Sequence, residues 1–461
     1  MHSRTFAGVA LAMSVAGCAT FSPDGGLDEV RTIAQQHIGA PAHALGGARS
    51  GVEALVREPL TADTAVQIAL LNSPSLQAHL AELGIAEADL VQAGTLRNPV
   101  LAYSNRRNAD VVQIERSVLV NVAALLTMPL AIEIEQRRFS QAKLAAASGV
   151  VLMAATTRAA FFRAVAAQEM VAYYSQVKVA AEAGRDLARR MAEAGNFTKV
   201  AQMREELFYA DASTQLARAQ LSAINERERL TRLLGINDPA LLKLPLTLPD
   251  LPAAPIALPN AEQAAMDARL DVRMGVLETE GVAQALGLTK VTRVVNVLDA
   301  GYVNESETGD ARKNGYEIVL ELPIFDWGSA RVARAEARYK QAMARAAETA
   351  VNARSEVRAG YAAYRTSYDV AKHYRDDVVP LRKRIAEETV LRYNAMLIGV
   401  FELLADAREQ VGSVTTAIEA TRDFWLADTA LQLALAGKAG EASSPASSGQ
   451  TPSSPATHQA H

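Results

Sequence analysis

Gly315-Tyr316-Glu317-Ile318-Val319-Leu320-Glu321-Leu322-Pro323-Ile324-Phe325-Asp326-Trp327-Gly328 is the stretch on which the fold turns. Tyr316, Ile318, Leu320 and Leu322 alternate with Glu317 and Glu321 at period two, the pattern of a strand with one face for an apolar environment and one for water. Pro323 ends strand pairing, and Asp326 or Gly328 can cap the helix that the following residues predict.

Working outward, Val291 to Val303 and Gly315 to Ile324 flank the polar loop Glu305 to Asp310, which predicts a hairpin with strands at about 291–303 and 315–324. The first half repeats the arrangement. Arg97-Asn98-Pro99-Val100-Leu101-Ala102-Tyr103 and Val111 to Pro129 flank Asn105-Arg106-Arg107-Asn108, predicting strands at about 97–104 and 111–128. Met128-Pro129-Leu130 is then the counterpart of the junction at Pro323.

Around the hairpins the pattern is helical. Trp327 to Ala395 contains a single proline, Pro380, and as a helix would reach roughly 100 Å. Small and apolar residues recur at 3–4 spacing through Met343, Ala346, Ala350, Ala353, Val357, Gly360, Tyr364 and Ser367, and again from Leu404 through Val411 and Ile418 to Trp425. Leu152, Ala155, Ala159, Phe162 and Ala166 form the matching seam of the first half, followed by Leu207, Ala210, Thr214, Ala217, Leu221 and Ile224. The seams alone fit a coiled-coil rod as well as a curved wall of helices; the paired hairpins favour the wall.

Pro74 aligns with Leu270, Pro129 with Pro323 and Gly195 with Met396, at offsets of about 200 residues. The expected fold class is therefore mainly α with a small β part, built as a duplicated unit of helix, β-hairpin and long helical hairpin. The units span 61–236 and 260–437, joined by a proline-rich strap at 237–259 and followed by a Ser/Pro/Ala/Gly-rich tail at 438–461 that predicts disorder.

Composition narrows the function. With 49% hydrophobic residues the 461-residue chain can bury a sizeable core, and 47 Lys+Arg against 51 Asp+Glu leaves no basic face for nucleic acid. Arg4 and the apolar run Phe6 to Ala16 read as an export signal over 1–17. Val15-Ala16-Gly17-Cys18 resembles a bacterial lipobox, and Cys18 is the sole cysteine, so lipidation at Cys18 and an N-terminal lipidated segment over 18–60 are expected. Ala19 is not the acidic residue associated with inner-membrane retention, which implies the outer membrane. The seven His are scattered without a nucleophile or metal-ligand motif, so no enzyme, no metal site and no cofactor are expected. No later stretch of about 18 residues is apolar and charge-free, and the Ala-rich run carries Arg158, Arg163 and Glu169. A transmembrane helix is thus excluded on this reading, and any spanning part must be a closed β-barrel.

From about Thr61 to Gly437 the chain resembles the TolC-like outer-membrane efflux protein family. The resemblance rests on Leu322 to Gly328 with Arg331 after it, on Asn72-Ser73-Pro74-Ser75-Leu76 and Ala268-Arg269-Leu270-Asp271-Val272, and on Val379-Pro380, Arg392-Tyr393 and Glu402-Leu403-Leu404. Leu270 stands where the family has its second proline, and Met396 where it has glycine, leaving Gly399 as the candidate to take over that turn.

The resemblance implies a homotrimer whose twelve strands form one outer-membrane barrel on a periplasmic α-helical barrel. It implies a passive exit duct for small molecules or metal ions in a tripartite efflux pump, with a periplasmic adaptor, an inner-membrane transporter and outer-membrane lipid as partners. Pro323, Phe325, Asp326 and Gly328 would form the strand-to-helix junction. Gly195, Asn196, Phe197, Met396, Leu397 and Gly399 would form the adaptor-docking tips. Glu402 would narrow the tunnel entrance, with Asp406 as its companion because Ala405 replaces the family's second acid. Two other readings stay open: the outer-membrane component of a type I protein secretion system, which shares the architecture, and a structural periplasmic coiled-coil lipoprotein.

Overall fold

The structure is a computed structural model that describes residues 20–47, 51–108, 110–293 and 297–437. Cys18, the export signal and the tail lie outside the described residues. Helix α1 (Leu27–Ile38), a short 3-10 turn (Ala40–Ala44) and α2 (Val52–Arg57) precede the first repeated unit. That unit runs α3 (Ala62–Asn72), α4 (Pro74–Ala93), β1 (Val100–Asn108), β2 (Val111–Asn121), α5 (Val122–Glu193) and α6 (Lys199–Leu234). The second runs α7 (Ala261–Ala268), α8 (Leu270–Val291), β3 (Leu298–Glu307), β4 (Lys313–Leu320), α9 (Ser329–His373), a π-helical turn (Tyr374–Val378), α10 (Val379–Asn394) and α11 (Val400–Ala436). Pro74 and Leu270 each open a helix, so the substitution of leucine for proline leaves the helix start in place.

The four strands make one antiparallel sheet in the order β1-β2-β3-β4, and the β2–β3 pairing fuses the two hairpins. Several boundaries differ from expectation. β1 continues through Asn105 to Asn108, because each of these residues finds a partner in Val111 to Ile114. The turn is accordingly shorter than a polar tetrad. β2 stops at Asn121, not 128, since the Asn121 side chain accepts from the Ala124 amide and starts α5 seven residues before Pro129. Pro129 therefore sits inside a helix and is not the counterpart of Pro323. In the second half, Val291 ends α8, and β3 begins only at Leu298. β4 ends at Leu320, so Glu321 to Ile324 belong to the connection.

Helix α5 has 72 residues and reaches roughly 110 Å. Against expectation, it contains an 18-residue window apolar enough to cross a membrane by length and composition, and half of that window is buried inside the chain. The window tolerates isolated charges that a charge-free criterion rejects. Leu144, Val150 and Ala154 of α5 pack with Val30 and Ile33 of α1, while Phe161, Phe162 and Val165 pack with Ile68, Leu230 and Leu234. Phe162 also stacks on Trp425 of α11, ring centroids 5.2 Å apart, which ties the first half to the second.

The strap from α6 to α7 lies against the helices by a particular chemistry. Its prolines cannot pair in a sheet, so other groups satisfy its backbone. Trp425 Nε1 donates to the Pro249 carbonyl at 3.0 Å, and the Tyr368 hydroxyl to that of Pro252 at 3.1 Å. The Ile256 amide donates to the Tyr364 hydroxyl, and the Leu248 amide to Glu169 Oε2, both at 3.0 Å. Leu242, Leu248 and Leu251 of the strap itself are buried against the helices.

Candidate functional site

Directly paired residues of antiparallel strands share a face, so the register sorts every side chain of the sheet. Leu101, Val118, Tyr302 and Tyr316 form one row across the four strands. Val120, Ala300 and Ile318 form the next row, followed by Leu298 and Leu320. This face is apolar and open: Tyr316 is 93% exposed and Ile318 72%. Beyond Tyr302 the same face turns polar through Arg116, Asn304 and Asn314.

The opposite face carries Glu115, Ser117, Asn121, Asp299, Glu305, Glu307 and Glu317, with Lys313 and Arg106 as its cations and with Val100, Ala102, Leu119, Val303 and Val319 between the polar groups. Glu115 and Glu305 stand directly opposite each other. Like charges in that relation destabilise a sheet on water-free surfaces and are tolerable where water reaches them.

At the helix end of the sheet, Leu322, Ile324, Phe325 and Trp327 are all exposed, Phe325 to 98%. Tyr302 and Tyr316 lie above the aliphatic rows and Phe325 and Trp327 below, giving an apolar band with aromatic residues at both margins. The strands of 8 to 11 residues have the length such a band needs. The junction itself is built by Gly328, the N-cap of α9, at φ 71. A Cβ there would meet the Arg293 carbonyl oxygen at 2.9 Å, so glycine is required by conformation and by space. Asp326 Oδ1 accepts from the Gly328 amide at 2.8 Å and holds the turn. Pro323 lies in the connection after β4.

The helical seams divide into two kinds. On α9, Ala353, Val357 and Tyr364 are buried as expected, with Ala342 replacing the exposed Met343. On α6 the residues buried inside the chain are Ala201, Glu205, Ala212, Ala219, Leu230, Thr231 and Leu234, whereas Leu207, Leu221 and Ile224 are exposed. Helix α6 therefore has one stripe covered by its own chain and a second, open apolar stripe.

The far ends of the hairpins lie side by side. Phe197 is buried with Ala188, Ala201 and Val400, so it holds the first turn against α11 from beneath while Gly195 and Asn196 are exposed. Gly195 has φ 78. At the second turn Met396 has φ 60 and is 92% exposed, so a methionine carries the left-handed conformation and Gly399, extended at φ −84, does not take it over. Leu397 is also exposed.

Val400, Leu404 and Arg408, four residues apart, face the first hairpin, with Val400 and Leu404 beside Phe197. Arg408 Nη1 reaches Glu205 there, a pair that no sequence pattern signalled. Glu402 and Asp406 fall on the opposite face of α11; Glu402 is exposed and Asp406 half-buried. The structure brings these two onto one face, as their spacing predicts.

The structure is similar to the CmeC outer membrane channel of Campylobacter jejuni, with TM-score 0.70 at 15% identity, covering 81% of this chain and 85% of that one. It is similar also to the outer membrane protein VceC of Vibrio cholerae, with TM-score 0.67 at 15% identity, covering 82% and 96%. In sequence the chain is similar to the cobalt-zinc-cadmium resistance protein CzcC of Cupriavidus metallidurans, 26% identical over 280 residues, which is 58% of this chain and 64% of CzcC. The match thus spans less than two thirds of that relative. No protein-family model matches the chain.

Proposed function

We propose that this chain is the outer-membrane exit channel of a tripartite efflux pump, with metal cations as its cargo class. The observation that carries the reading is the sheet, whose outer face suits lipid and whose inner face suits water, with β1 and β4 at open edges. Four strands cannot close a barrel, and an open edge in hydrocarbon is untenable, so three copies contribute twelve strands. The open stripe on α6 supplies the contact between neighbouring copies in the helical wall.

The carboxylates of the inner face outnumber its cations, and three copies concentrate that charge around one lumen, which favours cations. The name of CzcC supports the same cargo class. Glu402 and Asp406 face the axis as a ring at the entrance. Gly195, Asn196, Met396, Leu397 and Gly399 present the tips to a periplasmic adaptor, with Phe197 as the internal prop, and an inner-membrane transporter completes the pump. Cys18 carries the lipid anchor.

Mass measurement in detergent and single-channel recording in a planar bilayer test the reading together. The expected results are three copies per particle, cation-preferring conductance, and a reduced preference in the Glu402→Gln, Asp406→Asn double variant. A stable monomer, or particles that conduct nothing, would overturn the channel; an unchanged preference in the double variant would remove the ring.

A further inference from the structure

An open cleft of about 650 Å³ lies between α7 and α9, beside the end of the strap. Arg354, Arg358 and Arg365 project into it from one face of α9, around Tyr361. Among the described residues, one of these cations is neutralised, Arg358 Nη1 pairing with Glu262 Oε2 at 3.3 Å, and Glu262 is the one carboxylate that lines the cleft. Among the described residues, Arg354 and Arg365 have no ion pair or hydrogen bond. Leu258 and Met266 supply an apolar wall.

We propose that this cleft binds an extended acidic peptide segment of a partner protein. A guanidinium pairs with a carboxylate in bidentate geometry, and two unpaired arginines flanking an aromatic ring leave such pairing unmet. The spacing sets the pattern of the ligand. Arg354 and Arg365 are eleven residues apart on one helix, roughly 16 Å along its axis. An extended chain covers roughly 13 Å in four residues, the even separation that keeps both side chains on one face, and the long arginine side chains span the remainder. The segment recognised therefore carries carboxylates at positions i and i+4, with an apolar residue at i+2 to meet Tyr361 and Met266. Because Glu262 already occupies Arg358, the middle of the segment needs no charge. The site lies away from both the tips and the sheet, so its occupancy is independent of conduction.

The test is fluorescence anisotropy with full-length protein in detergent and a labelled pentapeptide, Glu-Ser-Leu-Ser-Glu, beside its counterpart with Gln at both ends. Binding of the acidic peptide, weakened about tenfold by the Gln exchange and by Arg354→Gln with Arg365→Gln, supports the proposal. The expected loss is similar at raised salt. Arg354 is exposed and Arg365 half-buried, and unfolding midpoints matching the parent protein would show that the variant is folded. No binding, equal binding of the two peptides, or full displacement by an equimolar amount of inorganic phosphate would overturn it. The last outcome would define a simple anion hole. None of these results depends on whether the protein conducts.

Discussion

Arg408 Nη1 lies 3.1 Å from Glu205 Oε1, and this ion pair joins α11 of the second half to α6 of the first. Glu205 is only 2% exposed, while Arg408 is partly open to solvent and also lies over the Phe208 ring. Replacing Arg408 with Met would leave a buried carboxylate without its counter-charge. The cost expected is on the order of 2–3 kcal/mol, below that of a fully buried pair because Arg408 is partly solvated. Hydrogen exchange should show lost protection in the first turns of α6 and α11; unchanged protection would make the pair dispensable.

The two turns at the helix tips should respond to glycine in opposite senses. Met396→Gly should relieve a left-handed side chain and slow exchange at that turn, by roughly 1 kcal/mol. Gly195→Ala should destabilise its turn by a similar amount, although a Cβ there meets nothing within 4 Å, because φ 78 alone is unfavourable for alanine. Two changes of the same sign would contradict the argument.

Leu207 and Leu221 test the open stripe of α6. Substituting Glu at both positions should leave the helical content of the chain intact, since neither is buried in it. Sedimentation in detergent should shift from the three-copy species toward the single chain. Retention of the larger species would place the contact between copies elsewhere.

Asp428 of α11 gives a pH dependence. Burial holds its carboxyl above the ordinary range, with Arg158 acting in the opposite direction, and Gln432 Nε2 donates to it at 2.8 Å. A carboxylate with a raised native pKa binds its proton more readily when folded, so its ionised form subtracts stability at neutral pH. That penalty disappears as pH falls through the raised value. Asp428→Asn should therefore raise the unfolding midpoint near pH 7 and lose its advantage toward about pH 4, where the unfolded carboxylate also protonates. A variant less stable than the parent at neutral pH would show that the carboxylate makes a contact that the amide cannot replace.

Much of the architecture was legible because its signals are local. Tyr316, Ile318 and Leu320 revealed a strand through period two, and the prolines of 237–259 revealed the strap through the groups they lack. Boundaries were less legible where two local signals compete. Asn121 caps a helix inside an apolar run, so the pattern around Pro129 reads as a strand end although Pro129 lies inside that helix. On α6, small and apolar residues mark two stripes, and spacing cannot say which of them the chain covers itself. The Glu205–Arg408 pair was invisible because its partners are 203 residues apart and each alone resembles a solvated charge. Phe197 similarly read as a feature of a tip, whereas its ring is packed inside.

The pairing of β2 with β3 also has a temporal side. Asn121 Nδ2 donates to Asp299 Oδ1 at 2.7 Å across 178 residues of chain. During synthesis the first hairpin emerges with all of its apolar rows and waits for its neighbour until four helices and the strap have followed. Two strands alone are marginal in water, and their free edge invites pairing with any other strand. Long-range pairing of this kind is slow to form. The duplicated plan thus creates a vulnerable interval in biogenesis, and a nascent chain of this design is expected to need shielding until its second half arrives.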